Sequence, residues 1–312
     1  MAFMGKLTYL PRFLKNTWQS SRKHKKINIS PTEYWSKRTV HVPSMSSSTP
    51  EGDLEYFHWR CDQYPGYIDL MPVTGHDNLD ILDYGCGPGH DLVGIATYSR
   101  PKSLMGVDVS QKAINLAKQR LSLHKFKIVV KAELLNEQNY LPSDSFDYIH
   151  SSGVLHHVED LVDVLNKLRK SLRKNGRIRI MVYNKESIWW HLYVPYVLQI
   201  KEKKIRRNLP IAEAFRMSTD GAACPISNAY TFDSFKTYSD QAGFNTKLIG
   251  SSISITEINA WEKFRDSAST DSRLQINHRE FLSNIKVNSN GELKYNEKTP
   301  GINLVVELTK TF

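Results

Sequence analysis

The segment Asp83-Tyr84-Gly85-Cys86-Gly87-Pro88-Gly89 limits what this chain can fold into more than any other feature: it closes an apolar run that begins at Leu79 and precedes a helical pattern from Asp91 to Tyr98. A glycine-rich turn between a strand and a helix lets a ligand approach backbone that side chains would otherwise shield. A dinucleotide fingerprint would carry glycine at its sixth position, where this chain has His90, and Pro88 occupies the turn. Both departures disfavour a pyrophosphate site. Asp108 closes the next apolar run, 23 residues past Gly85, where a carboxylate can accept two hydrogen bonds from the hydroxyls of a ribose. The same residue also reads as a helix cap before Gln111.

From Leu79 onward, short apolar runs alternate with helical periodicity, the pattern of βαβ units and a parallel sheet. The spacing predicts strands over 79–84, 103–107, 127–130, 146–150, 177–183, 247–254 and 302–308. It predicts helices over 91–98, 160–174 and 232–242, with another opened by Ser110 and carrying Ile114, Leu116, Ala117 and Leu121 on one face. Residues 185–231, rich in aromatic and basic side chains, break this rhythm and are expected to form a helical lid over the mouth of the sheet. The domain reading is a basic arm and linker over 1–50 and one α/β domain over 51–312.

Four segments occur in order at strand-helix spacing: Leu82 to Gly89, Gly106-Val107-Asp108-Val109-Ser110, Ser145-Phe146-Asp147-Tyr148-Ile149 and Val154-Leu155-His156-His157-Val158. Together they resemble the class I S-adenosylmethionine-dependent methyltransferases, in particular the bacterial small-molecule type, from about Tyr56 to Phe312. The resemblance implies a Rossmann-like, seven-stranded, mostly parallel sheet with helices on both faces and an antiparallel last strand. It implies S-adenosyl-L-methionine as the methyl donor. Asp83, Gly85, Cys86 and Gly87 would then hold the methionine end, and Asp108 and Val109 the ribose. The family's usual acid-alanine pair after the third strand is here Lys131-Ala132 followed by Glu133, so Ala132 and Glu133 stand as the adenine candidates. Ser152 would pass beside the methionine portion and sulfonium.

The acceptor side falls to two aromatic segments. In Tyr56–Tyr67, Arg60 can pair with the methionine carboxylate and Tyr64 or Trp59 can cover the cofactor; alternatively these aromatics pack on the sheet edge. In the lid, Trp189, Trp190, His191, Tyr193 and Tyr196 line up with Arg216 and a polar Ser218-Thr219-Asp220-Gly221 stretch. His156, His157 and His191 are the candidate catalytic residues, and a histidine in such a place serves either proton transfer or structural hydrogen bonding. A general base is needed only if the acceptor holds its proton. No metal is expected, because no clustered ligand spacing appears along the chain.

The formal charge of +10 is concentrated at one end: Lys6, Arg12, Lys15, Arg22, Lys23, Lys25 and Lys26 all precede the first acid, Glu33, and without them the charge is +3. The arm reads as a transit peptide, a peripheral membrane-surface contact or a solvated extension. Lys201, Lys203, Lys204, Arg206 and Arg207 form a second basic run, either an anion-recognition patch or a solvated helical face. Three scattered cysteines rule out a disulfide framework and point to a reducing cytoplasm. No apolar run approaches the ~20 residues that cross a bilayer. The reading is methyl transfer to an oxygen or nitrogen of a small molecule, a sugar or secondary metabolite. RNA methylation and an inactive cofactor-binding scaffold subunit are the alternatives, with nucleic acid disfavoured by the lack of an RNA-binding module.

Overall fold

The computed structural model describes residues 29–39, 47–136 and 140–311. The basic arm lies outside the described residues. The central sheet runs in the order β3-β2-β1-β4-β5-β10-β7, built from β1 (Asp80–Tyr84), β2 (Ser103–Asp108), β3 (Val130–Leu134), β4 (Phe146–Ser152), β5 (Leu172–Asn184), β7 (Phe244–Ser252) and β10 (Asn303–Lys310). A two-residue strand, β6 (Ala229–Tyr230), pairs in parallel with the end of β5. Strands β1 to β5 are parallel to their neighbours, and β10 inserts antiparallel between β5 and β7. Ile81, Leu82, Ile149, Ile178, Ile180 and Val182 are buried, as a sheet covered on both faces requires.

The strand order changes direction between β1 and β4. In an open parallel sheet this is where ligands bind, beyond the carboxyl ends of the strands. Gly85 and Cys86 both donate their N–H to the carbonyl of Val107, which pins the turn against β2. The helix His90–Tyr98 follows, and Gln111–Leu121, capped by Ser110, covers β2 and β3.

The third strand begins at Val130 rather than Lys127. The apolar run around Ile128 and Val129 reads as a strand by composition, yet the register that pairs Leu104 with Val130 and Asp108 with Leu134 decides where the ladder lies. Val129 is exposed. A propensity signal is overridden here by the neighbouring strand.

The lid comes from two stretches of chain. The first carries a π-helix, Trp189–Lys201, with Pro195 inside it, and the helix Ile211–Thr219. The second lies between β7 and β10 and supplies helices Ile255–Thr270 and Ile276–Ser283 and a small hairpin, β8 (Lys286–Val287) with β9 (Leu293–Lys294). They share one core containing Trp190, Tyr196, Phe215, Trp261, Phe281 and Leu282. A helix buried all round, as Trp189–Ile200 nearly is, needs partners on every side, and the second stretch provides them. Glu257 ties the two together: its Oε1 accepts from Trp189 N (2.9 Å), and its Oε2 accepts from Ser254 N (2.7 Å) and Ile302 N (3.3 Å).

Two further helices precede the sheet. Pro31–Lys37 (α1) is capped by Ser30, and Pro50–Asp62 (α2) by Thr49. No helix among the described residues is long and apolar enough to cross a membrane.

Candidate functional site

At the carboxyl edge of β1, Gly85 and Gly87 both have positive φ, +77° and +53°. They differ in what surrounds them. A Cβ on Gly85 would lie 2.3 Å from Val154 Cγ2, so protein packs tightly against that side. A Cβ on Gly87 would meet nothing within 4 Å, which leaves its face open to a ligand. Cys86 turns its side chain inward, against the backbone of Gly106, and offers only its main chain.

Asp108 braces the turn. Its Oδ2 accepts from Gly87 N at 2.9 Å and its Oδ1 from Ser110 N at 2.8 Å, so it anchors the loop and holds the residue that caps the next helix. Burial raises its pKa above the ordinary carboxylate value, and the backbone donors oppose that rise. Each oxygen keeps lone pairs for a second donor.

Asp83 is almost fully buried, and its Oδ2 has no hydrogen-bond partner. Burial pushes its pKa up to about 7; His150 and Arg60 oppose the rise, and Asp91 and Asp108 add to it. Around it lies a charged nest. Arg60, from α2, pairs with Asp91 at the start of the next helix, and His150 Nε2 lies 3.5 Å from Asp91 Oδ2. Burial opposes the charge on Asp91, but Arg60 and His150 hold its pKa below the usual carboxylate range. The Tyr67 hydroxyl bonds to the Ser152 hydroxyl beside it. An unpartnered buried carboxylate oxygen is costly, and a cationic ligand group would complete its shell.

The structure brings Asp83, Gly85, Gly87, Asp108, Ser152, Arg60 and Tyr64 toward this edge. Arg60 reaches it already paired to Asp91. Tyr64 is half-buried between the sheet core and the lid core, and desolvation there raises its pKa to about 12. Val109 is half exposed just past Asp108. Ala132 and Glu133 lie within β3, level with Gly106 and Val107. The residues level with or beyond Asp108 are Leu134, Leu135 and Asn136, and Leu135 N donates to the carbonyl of Asp108. The displaced start of β3 accounts for that shift.

The histidines separate. His156 is buried with no polar partner, stacks on Tyr183 at 3.8 Å, and burial lowers its pKa well below the ordinary value. His191 sits inside the lid, 3.0 Å from His278 and stacked on Phe281, and burial lowers its pKa to about 3. His157 alone joins a polar cluster. Its Nδ1 donates to the Ile226 carbonyl at 2.8 Å, and its Nε2 lies 3.6 Å from Asp220 Oδ1. Asp220 in turn accepts from Tyr183 (3.2 Å), Thr219 (2.7 Å) and Ser227 (2.6 Å).

Helix α1 closes over this cluster. Tyr34 donates to the Asp220 carbonyl at 2.7 Å, and Trp35 lies on the His157 ring at 4.6 Å. The helix also packs against Gln111–Leu121, behind Asp108. It therefore bridges the helix behind Asp108 and the His157 cluster. Residues 1–50 read as arm and linker miss this, although Ser30-Pro31 before Glu33 is a start signal for a helix and Tyr34-Trp35 its apolar anchor. The basic run Lys201–Arg207 is exposed at the far end of the π-helix except for Ile205.

Residues 75–217 match the family model described as a methyltransferase domain. Among curated proteins, the chain is 32% identical over 111 residues to the ubiquinone biosynthesis O-methyltransferase of Pelagibacter ubique, which covers 35% of this chain and 43% of that protein. It is 28% identical over 146 residues to the tRNA U34 carboxymethyltransferase of Shewanella amazonensis, covering 46% and 41% respectively. A solved structure from Listeria monocytogenes, assigned to the S-adenosylmethionine-dependent methyltransferases, superposes with a TM-score of 0.51 at 14% identity, covering 83% of this chain and all of that one. At that identity the likeness is one of fold. The matches span less than half the length of the first curated relatives.

Proposed function

We propose that the chain is a class I S-adenosylmethionine-dependent methyltransferase that transfers a methyl group to an oxygen or nitrogen of a small molecule, a reading supported by the methyltransferase-domain match over residues 75–217. The observation that carries the reading is the buried, unpartnered Oδ2 of Asp83 beside the open face of Gly87. S-adenosylmethionine, when bound, supplies an already activated methyl group. Asp83 and the backbone of Gly85 and Gly87 would hold its methionine end, Asp108 its ribose, and Leu134 to Asn136 its base. The remaining work of the protein is alignment and exclusion of water, and proximity of this kind supplies about 7–11 kcal/mol in favourable systems.

The acceptor side is bounded by the lid, Tyr183 and the His157–Asp220 cluster, with α1 above it. The residues there, Trp35, His157 and Tyr183, are largely aromatic, which supports a small acceptor over a duplex or loop of RNA. The O-methyltransferase relative acts on a small molecule by its name, and the carboxymethyltransferase on tRNA. The exposed run Lys201–Arg207 is the feature that supports the RNA reading.

Calorimetry with S-adenosylmethionine and its demethylated product tests the cofactor assignment, and a wild-type protein that binds neither would overturn it. A labelled-methyl screen against small-molecule, sugar and RNA pools then decides the acceptor. Label entering RNA alone would replace the small-molecule reading.

A further inference from the structure

We propose that His157, Asp220 and Cys224 form a binding site for one thiophilic divalent cation, with Zn2+ favoured by the donor set. The three offer an imidazole nitrogen, a carboxylate oxygen and a sulfur whose atoms all lie within 4.8 Å of one another. Sulfur together with imidazole selects zinc over magnesium or calcium. Zinc bonds of about 2.0–2.3 Å in a tetrahedron place neighbouring ligand atoms roughly 3.3–3.8 Å apart. His157 Nε2 and Asp220 Oδ1, at 3.6 Å, already stand at that spacing.

The groups around the trio are those that orient metal ligands. The Ile226 carbonyl can only accept, so Nδ1 of His157 carries the proton of that bond, which fixes the ring and directs Nε2 toward Asp220. Asp220 is fixed by Tyr183, Thr219 and Ser227. Carboxylate and histidine ligands held by such outer hydrogen bonds are the usual arrangement in metal sites. Cys224 is buried, and its Sγ lies 3.2 Å from the same Ile226 carbonyl. On binding, a metal–sulfur bond replaces the S–H bond, the proton leaves to solvent, and no electron transfer is involved. Trp35 and Tyr34 roof the cluster.

Three protein ligands leave one coordination position, as in catalytic zinc sites. Tyr183, at the end of β5, borders both the cluster and the acceptor side, so that position would take an acceptor hydroxyl and ease its loss of a proton. This last role rests on the methyl-transfer reading; occupancy of the site does not.

The test uses the full chain without cofactor or acceptor. Purified protein, stripped with chelator and reloaded, is assayed for bound zinc by elemental analysis and for Co2+ by its thiolate-to-metal charge-transfer absorption. One equivalent per chain is expected, with the absorption lost in Cys224→Ser and kept in Cys61→Ser. Tyr183→Phe, which removes an outer hydrogen bond only, should weaken affinity roughly 10–100-fold. Substoichiometric zinc, or an absorption that persists in Cys224→Ser, overturns the proposal. If Cys224→Ser fails to fold, unchanged affinity in Tyr183→Phe overturns it instead. Failure here leaves the cofactor assignment intact, and failure to bind S-adenosylmethionine leaves the metal result standing.

Discussion

Asp83 and Asp108 illustrate how two carboxylates 25 residues apart take different tasks from their surroundings. Asp108 is saturated by backbone donors on one side and keeps lone pairs for a ligand, so Asp108→Ala removes both an anchor and a contact. Hydrogen bonds to a charged group contribute about 1.5–3 kcal/mol each; the loss of S-adenosylmethionine affinity should reach roughly 100-fold by calorimetry, and unchanged affinity refutes the role. Asp83 has its pKa raised to about 7 by burial. Its raised value means that the folded protein holds a proton the unfolded chain gives up near the ordinary carboxylate range. Stability from this group is therefore full at low pH and is lost as pH rises through about 7. A ligand ammonium pairs with the ionised form, so cofactor binding should release a proton near pH 7 and tighten as pH rises through that value. Calorimetry in buffers of different ionisation enthalpy reads the proton, and Asp83→Asn should abolish the effect. Gly85 and Gly87 both hold positive φ, so alanine strains either turn by about 1–2 kcal/mol; Gly85→Ala also drives a Cβ into Val154 and should lower thermal stability further, whereas Gly87→Ala carries the backbone strain alone and should lose cofactor binding with the smaller fall in Tm.

At the scale of elements, the strands and helices of the α/β core follow from periodicity, and their departures have local causes. β3 is displaced because its ladder partner, not its own composition, sets its start. Helix α1 and the second lid stretch were illegible for a different reason: short amphipathic helices carry a weak signal until something is known to cover them. Glu257 is the element-level hinge of the lid, since its side chain caps one helix and holds the first residue of the π-helix and the start of the last strand. Glu257→Ala leaves those donors unpaired and should destabilise the protein by on the order of 3 kcal/mol. For a chain of this size that is a fall in Tm of about 5 °C, with amide exchange rising first in Trp189–Lys201. A Tm within error of wild type counts against this account. Trp35→Ala opens the roof over His157 and should weaken cofactor binding without a comparable change in Tm, as ligand titration followed by melting would show.

For the molecule as a whole, the glycine turn and Asp108 are near enough in the chain, and bound tightly enough to strand ends, that sequence alone determined the parallel sheet and the meeting of turn and carboxylate at its edge. Their geometry is local: a strand, a reversal and a carboxylate at the next strand's end admit few arrangements. The cluster of His157, Asp220 and Cys224 was decided only by tertiary structure. His157 follows β4, Asp220 and Cys224 follow a lid helix, and Trp35 arrives from beyond the sheet domain; no spacing along the chain announces their meeting. His156 and His191 looked equivalent to His157 in sequence, and burial with no partner, or with another histidine, sets them apart. Side-chain periodicity records which face of an element is buried, but not which distant element buries it, and in this chain that second choice assembles the chemistry around His157.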